Sequence, residues 1–417
     1  KFEVVKEFKL RPDSVKKTRV NLAGDVLKSV KATDKNRLNI IYDKRLLKNE
    51  LPKQLLEFYQ HIEERFKKGT PYEELEKEQL NFKVAGLEHT YGFGGLHAAK
   101  ENYKGSGHYM QIDVKSYYPT LILNNSFLND RSLNIYKKIY NTRLKLQSQK
   151  DSKQEAYKLI TNIVSGGLKS KWSNLYNPQM NNSMVVNGQL ILTHLILLLD
   201  NFCELIQTNT DGLIIKYEPV MKKSILKIIE LFEEHYKLKF DIDYIVKIAQ
   251  KDVNNYVTKY KDGTIHGIGR FLNHDGGNYT RNSMTIIDQA LTRYYMDGIK
   301  INKTIMDEYK KGNLQAFQYV VKAGKFDGMA HEQLDDTLFK EYKQSRFKPI
   351  GNVNRVFATR NKNLGTVYRY REGAETQYVK VPYTSDNCLV WNEPLEELNR
   401  RLIDLNWYIK ETERWLF

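Results

Sequence analysis

Residues 203–217, CELIQTNTDGLIIKY, place two apolar, strand-forming runs on either side of a Thr-Asp turn. So tight a return forces antiparallel pairing and leaves Asp211 at the tip, at the edge of whatever sheet the two runs join. A second acid has a similar setting. In HYMQIDVKSYYPTLIL, residues 108–123, an alternating half-buried strand ends on Asp113, followed by Tyr117, Tyr118 and Pro119. Two carboxylates brought together at strand ends repel each other unless a cation lies between them. Hard oxygen ligands suit Mg²⁺, which keeps waters and takes phosphate oxygens as its other ligands. By itself, Asp211-Gly212 is also an ordinary turn signal.

The stretch between the two acids is helical and basic. Residues 127–172 read as an almost wholly helical pair with Lys and Arg along both flanks. Lys158 and Asn162 are spaced i, i+4 and share a face, and Ser165-Gly166-Gly167 behind them allows close backbone approach. Arg143 and Lys145 lie on the preceding helix. Any one of these cations alone is an ordinary solvated residue; converging, they would suit a triphosphate. The whole chain leans the same way, with 66 Lys+Arg against 50 Asp+Glu and a net charge of +16, as a polyanionic partner would require.

The 417 residues, 41% hydrophobic, can bury a large core in two or three domains or subdomains. Cys203 and Cys388 have no ligand-like spacing, which argues against structural zinc and for a reducing cytosol. The longest apolar run, LILTHLILLL (190–199), is half a membrane span and reads as part of a buried helix over 183–203. Residues 38–47, LNIIYDKRLL, read as strand-like. Residues 51–85 have helical spacing broken by Gly-Thr-Pro at 69–71, and residues 225–236 form a helix followed by strands to about 271. From 280 onward, basic helices mix with an aromatic strand region, 365–383, before a closing helix, 394–417.

The order of these signals carries more than any one of them. DVKSYYPT, KLITNIVSGG and TNTDGL, in that sequence, resemble the three polymerase motifs of family B DNA polymerases. NNYVTKYKDGTIHGIGRF (254–271) is similar to that family's segment leading from palm to thumb. The resemblance covers roughly residues 90–275 and is closest in flavour to phage-encoded members, hence a bacterial host cytosol. It implies an α/β (α+β) right-hand architecture with an antiparallel-sheet palm, a helical fingers hairpin and a mostly helical thumb. The parts would be an N-terminal region at 1–105, palm at 106–130, fingers at 131–172, palm again at 173–270, and thumb with C-terminal region at 271–417.

The resemblance also implies roles. Asp113, Asp211 and the Val114 carbonyl would hold two Mg²⁺ ions, with Mn²⁺ as a substitute. Ser116 and Tyr117 would offer backbone amides to the phosphates of a dNTP, and Tyr118 would exclude a 2′-hydroxyl. Arg143, Lys145 and Lys158 would hold the triphosphate, with Lys158 also as general acid, and Asn162 would shape the pocket. Tyr256, Lys259, Arg270 and the glycines Gly94 and Gly95 of YGFGG would meet primer–template DNA. A monomer acting away from membranes is expected. The chain departs from the family pattern at Asn209, where an acid is usual, at Ser165, where a tyrosine is usual, and at Val253, Asn254 and Asn255. No exonuclease-like segment precedes the motifs, so the enzyme either lacks proofreading or this chain begins after that domain. The rivals are a reverse transcriptase or RNA polymerase on a similar palm, a catalytically impaired nucleic-acid-binding protein, and, more distantly, a two-metal nuclease.

Overall fold

The computed structural model describes residues 1–271, 284–335, 346–373 and 377–417. Parts of the expected C-terminal helices and of the aromatic strand region, at 272–283, 336–345 and 374–376, lie outside the described residues. The chain forms two compact units, residues 1–100 with 107–245, and residues 101–106 with 246–417. The class is mixed helix and sheet, with antiparallel hairpins in both units.

In chain order the first unit holds α1 (Phe2–Glu7), α2 (Arg19–Leu27), α3 (Lys53–Lys67), α4 (Tyr72–Leu75), the hairpin β1 (Leu80–Val84) and β2 (Leu87–Tyr91), β3 (Ala98–Ala99) and most of β4 (Tyr103–Val114). Then come α5 (Tyr117–Asn125), α6 (Asp130–Ser148), α7 (Gln154–Lys169), α8 (Pro178–Leu199), β5 (Glu204–Asn209), β6 (Gly212–Lys216), α9 (Lys222–Tyr236) and the start of β7 (Phe240–Asp252). Within this unit the sheet runs β3-β5-β6-β4-β7. Its apolar face, including Ile112, Leu213 and Ile215, shares one core with Leu121 and Ile122 of α5 and with Met184, Val186, Leu190 and Leu195 of α8. Each such fully buried side chain stabilises the fold by about 1.5–3 kcal/mol relative to an exposed one.

Helix α8 is long and apolar enough to cross a membrane by length and composition, but 89% of its most apolar window is buried inside the protein. Asn177 caps its start by accepting from the Met180 amide, with Pro178 in the first turn, so the helix begins five residues earlier than expected. Its polar residues explain a second difference. The segment 38–47, expected as strand-like, forms no strand. Instead the side chains of α8 satisfy its backbone. The Ile41 amide donates to Ser183 Oγ at 2.9 Å, the Asp43 amide donates to Asn187 Oδ1 at 2.7 Å, and Asn187 Nδ2 donates to the Ile41 carbonyl at 2.8 Å. Gln179 reaches the Asn39 carbonyl and Asn182 the Arg37 carbonyl in the same way. One face of a helix thus does the work of a neighbouring strand.

Two further expectations change. The helical spacing read over 51–85 ends at α4, and Leu80–Val84 pairs with Leu87–Tyr91 around Ala85 and Gly86, both at positive φ (46° and 80°). An extended chain through Tyr117 and Tyr118 would put their side chains on opposite faces. They open helix α5 instead, with Pro119 in the first turn, where its missing N–H has no intrahelical partner to lose.

The second unit continues from β7 into the hairpin β8 (Asn255–Tyr260) and β9 (Ile265–Ile268), then α10 (Thr285–Asp297) and α11 (Ile301–Lys310). The strands β10 (Tyr319–Lys322), β11 (Gly328–Gln333), β12 (Phe347–Ile350), β13 (Val353–Ala358), β14 (Leu364–Arg371), β15 (Gln377–Lys380) and β16 (Cys388–Val390) follow. They form sheets ordered β10-β13-β16 and β12-β11-β14-β15, and α12 (Leu405–Glu413) closes the chain. A mostly helical region from 271 was expected. Among the described residues it has three α-helices and seven strands, because YVVK, VNRVFA and LGTVYRYR are rich in β-branched and aromatic residues. The closing helix is also shorter than expected, with two 3₁₀ turns before α12.

Asn187 is fully buried, and replacing it with alanine leaves the Asp43 amide and Ile41 carbonyl without their partners. Asn187→Ala should cost about 2–4 kcal/mol in urea unfolding. A loss below about 0.5 kcal/mol would mean that the N-terminal segment contributes little to the stability of this unit.

Candidate active site

Strands β4 and β6 pair antiparallel, with Asp113 opposite Gly212, and the Val114 amide donates to the Asp211 carbonyl at 2.7 Å. The end of β4 is therefore bonded to the tip of the β5–β6 hairpin, and the two acids come from adjacent strands. Gly212 makes the approach feasible. A Cβ built there would sit 2.0 Å from Asp113 Oδ1, so any side chain would have to displace the carboxylate. The sequence offered this glycine only as a turn signal. Gln111, two residues before Asp113 and so on the same strand face, donates from Nε2 to Asp113 Oδ2 at 2.7 Å.

The hairpin tip is braced from the glycine-rich turn. Asn209 accepts from the Thr210 amide at 2.9 Å and also bonds His97, while Thr210 Oγ1 lies 3.4 Å from His97 Nε2. Gly95 permits this packing, since a Cβ there would meet Thr210 Oγ1 at 2.2 Å. The Gly94 carbonyl accepts from Gln189 of α8 at 2.7 Å. His97 lies far from the hairpin in sequence, and no spacing signal announced it.

Both carboxyls are held above their ordinary range. Burial is the main cause for Asp113, which is pushed up to about 6. The Gln111 hydrogen bond opposes the shift, and the charges of Asp211, Asp243 and Asp241 add to it. Asp211 is raised chiefly by lost hydration, although the residue is exposed at the tip; its own amide and His97 pull it back. Such a pair is relieved by a cation. Among the described residues no three His, Cys, Asp or Glu side chains converge as a metal cage. A divalent ion would therefore rely on these two carboxylates, a main-chain carbonyl such as that of Val114, water and ligand oxygens. That all-oxygen donor set fits Mg²⁺.

Ser116 links β4 to α5 in a left-handed conformation (φ 50°, ψ 50°), an uncommon one for a residue with a side chain. Beside it lies Arg143 of α6, 8% exposed. Its Nη1 donates to Thr161 Oγ1 at 3.2 Å and approaches Ser116 Oγ at 3.5 Å, while its Nε has no partner. A buried guanidinium facing hydroxyls rather than a carboxylate is ready for an anionic ligand. It lines a cleft of about 720 Å³ with Ser116, Lys115, Lys237 and Lys239; Lys115 is paired with Asp241 and Lys239 with Glu233.

Not every expected residue joins this group. Lys145, two positions beyond Arg143, falls on the far side of α6 and is exposed. Lys158 is half-buried on α7, 3.8 Å from Glu155, and with Asn162 lines a separate cleft of about 330 Å³ beside Lys1 and Glu3. Thr161 is the α7 residue turned toward Arg143. Tyr118 is half-buried, and burial together with the Asp211 charge pushes its hydroxyl up to about 12. Tyr117 is 3% exposed, donates to the Gly188 carbonyl at 2.6 Å and stacks on Tyr118, so its ring belongs to the core.

In the second unit, Tyr256 is buried in β8 and Lys259 pairs with Asp297 at 3.2 Å. Arg270 lies 4.0 Å from Asp288, with its guanidinium over the rings of Trp415 (4.8 Å) and Tyr383 (5.2 Å).

The raised Asp113 value has a definite sign. Between the ordinary carboxylate range and about 6 the native protein binds more protons than the unfolded chain, so stability falls as pH rises through that window. With divalent cations chelated, Asp113→Asn should therefore raise stability at pH 8 by about 1–3 kcal/mol and by almost nothing near pH 4. Denaturant unfolding at the two values checks this, and an equal gain at both would contradict it. Gly212→Ala should destabilise the wild type more than the Asp113→Ala protein, where the clashing oxygen is gone.

No protein-family profile matches the sequence, and no curated protein matches it. Among solved structures, the family B DNA polymerase from the hyperthermophilic archaeon Pyrobaculum calidifontis superposes with a TM-score of 0.44 at 12% identity. The alignment covers 81% of this chain, which spans about half (47%) of that polymerase.

Proposed function

We propose that this chain is a template-directed DNA polymerase that extends a primer 3′-OH with dNTPs. The observation that carries this reading is the pair Asp113 and Asp211, delivered by bonded strands with both carboxyls held above their ordinary range. The acid-free guanidinium of Arg143 next to Ser116 supports it, as does the order of the three motifs along the chain.

In this reading Asp113, Asp211 and the Val114 carbonyl hold Mg²⁺, with Mn²⁺ as a substitute. Bound there, the metal supplies Lewis-acid stabilisation of the oxygens that gain charge in phosphoryl transfer. Arg143 grips the phosphates as a planar fork, and the first amides of α5, at Ser116 and Tyr117, point their partial positive charge at the same group. Tyr118 fills the space a ribose 2′-hydroxyl would need. Lys158 protonates the departing pyrophosphate, which requires the α6–α7 hairpin to turn its exposed face inward once the nucleotide is bound. Asn162 moves with it, and Lys145 acts from the rim. Tyr256, Lys259, Arg270, Gly94 and Gly95 serve primer–template DNA, with α6 and α7 as the fingers.

A second reading, a nucleic-acid grip without catalysis, is favoured by one observation: no third His, Cys, Asp or Glu forms a metal-holding group with the two acids among the described residues. Primer extension separates the two. Asp113→Asn and Asp211→Asn should each lower extension at least ~100-fold while primer–template binding persists. A wild type inactive with both Mg²⁺ and Mn²⁺ would favour the grip, and DNA against RNA templates in the same assay tests the reverse-transcriptase alternative.

Sugar choice gives a separate check. Tyr118→Ala should raise kcat/KM for CTP relative to dCTP at least tenfold, about 1.4 kcal/mol. Tyr117→Ala should leave that ratio alone but lower stability by about 3–5 kcal/mol, since its ring is core. Equal ratios in all three proteins would remove the gate.

A further inference from the structure

Trp172 is the most exposed large apolar side chain of the first unit, at 92%. Its loop is not loose. Ser173 is 1% exposed, and Leu175 and Tyr176 are 2% exposed. The Ser173 amide bonds Ser170, the Tyr176 amide bonds Ser173, and the Asn177 amide bonds Leu168. The Leu175 amide donates to Ser173 Oγ at 2.9 Å. Fixed on both sides, the turn between α7 and α8 holds the indole out in water with its flat face open to a ligand.

What surrounds the ring is basic. Lys169 and Lys171 flank it and are exposed. The loop after α2 is tied to the same turn through the Ala32 amide, which donates to the Tyr176 carbonyl at 2.8 Å, and through Lys31, whose ammonium lies 5.5 Å from the Tyr176 ring centre. That loop adds exposed Lys28, Lys31 and Lys35. The acid between them, Asp34, is engaged by Arg37 and by the Tyr176 hydroxyl. Five exposed lysines thus lie on the turn that carries the ring and on the loop bonded to it, with Lys171 donating to the Tyr72 hydroxyl.

We propose that this surface binds single-stranded nucleic acid, one unpaired base stacking on Trp172 while the lysines neutralise flanking phosphates. A stacking platform beside a cationic track is what an unpaired strand needs, because every base offers a flat face and every phosphate a charge. A duplex keeps its bases stacked inside and gains only the charge. None of these residues lines the Arg143 cleft, and the inference stands apart from catalysis.

Fluorescence anisotropy with a labelled oligothymidylate and a labelled blunt duplex, without nucleotide or divalent cation, tests it. Trp172→Ala should weaken oligothymidylate binding about tenfold and leave duplex binding unchanged, whereas Trp172→Phe should keep most of the affinity. Lys28→Ala with Lys31→Ala should reduce the salt slope of oligothymidylate binding by about 1.4. Thermal unfolding of each variant confirms that the fold persists. Unchanged oligothymidylate affinity in Trp172→Ala overturns the proposal. So does a loss confined to vesicles of phosphatidylserine and phosphatidylcholine, which would make the surface a membrane contact. A chain inactive in primer extension that still shows the tenfold loss keeps the proposal, and an active chain without it refutes the proposal alone.

Discussion

The Asp113 carboxylate occupies the space where a side chain at position 212 would begin. That exclusion lets β4 and β6 close to bonding distance while one strand still carries an acid toward the other. The Val114 amide then ties the strand end to the Asp211 carbonyl, and the hairpin tip inherits its position from β4. Gly95, Thr210, His97 and Asn209 hold that tip from the other side. The electrostatics follow from this packing. Two acids are brought close and partly dehydrated by contacts that neither could make alone, and both are pushed toward the protonated form.

Asn209 illustrates how a departure from a pattern acquires a physical role. Where a third acid would add to the repulsion at the tip, the amide accepts from its own turn and bonds His97. Charge is exchanged for rigidity. Arg143 is the counterpart on the helical side: a cation kept dry, held by hydroxyls, with hydrogen-bonding capacity unspent.

The strands ending at Asp113 and returning through Asp211 were legible because period-two alternation and a two-residue turn are local signals. The helices of 127–172 were legible for the same reason. What escaped depended on distant partners. Residues 38–47 look like a strand in isolation, and only α8, more than a hundred residues on, decides that side chains rather than a strand will satisfy them. Lys158 and Arg143 look convergent along the chain, yet the helical hairpin turns Thr161 inward instead. His97 carried no spacing signal, because its partners lie on a hairpin folded later in sequence. The C-terminal strands were undercounted because their turns are irregular and basic residues interrupt the alternation.

The polar stripe on α8 has a kinetic consequence. Asp43 and Asn187 are 144 residues apart, and Ile41 and Ser183 are 142 apart, so each bond closes a very long loop. The closure entropy grows only slowly with such length, by about 0.6 kcal/mol per doubling, but the contact cannot form before α8 exists and has found its sheet. Residues 38–47 precede α8 in the chain and cannot take these bonds until that helix is in place. Until then the amides of Ile41 and Asp43 exchange with solvent, and their protection against hydrogen exchange becomes a clock for completion of the unit.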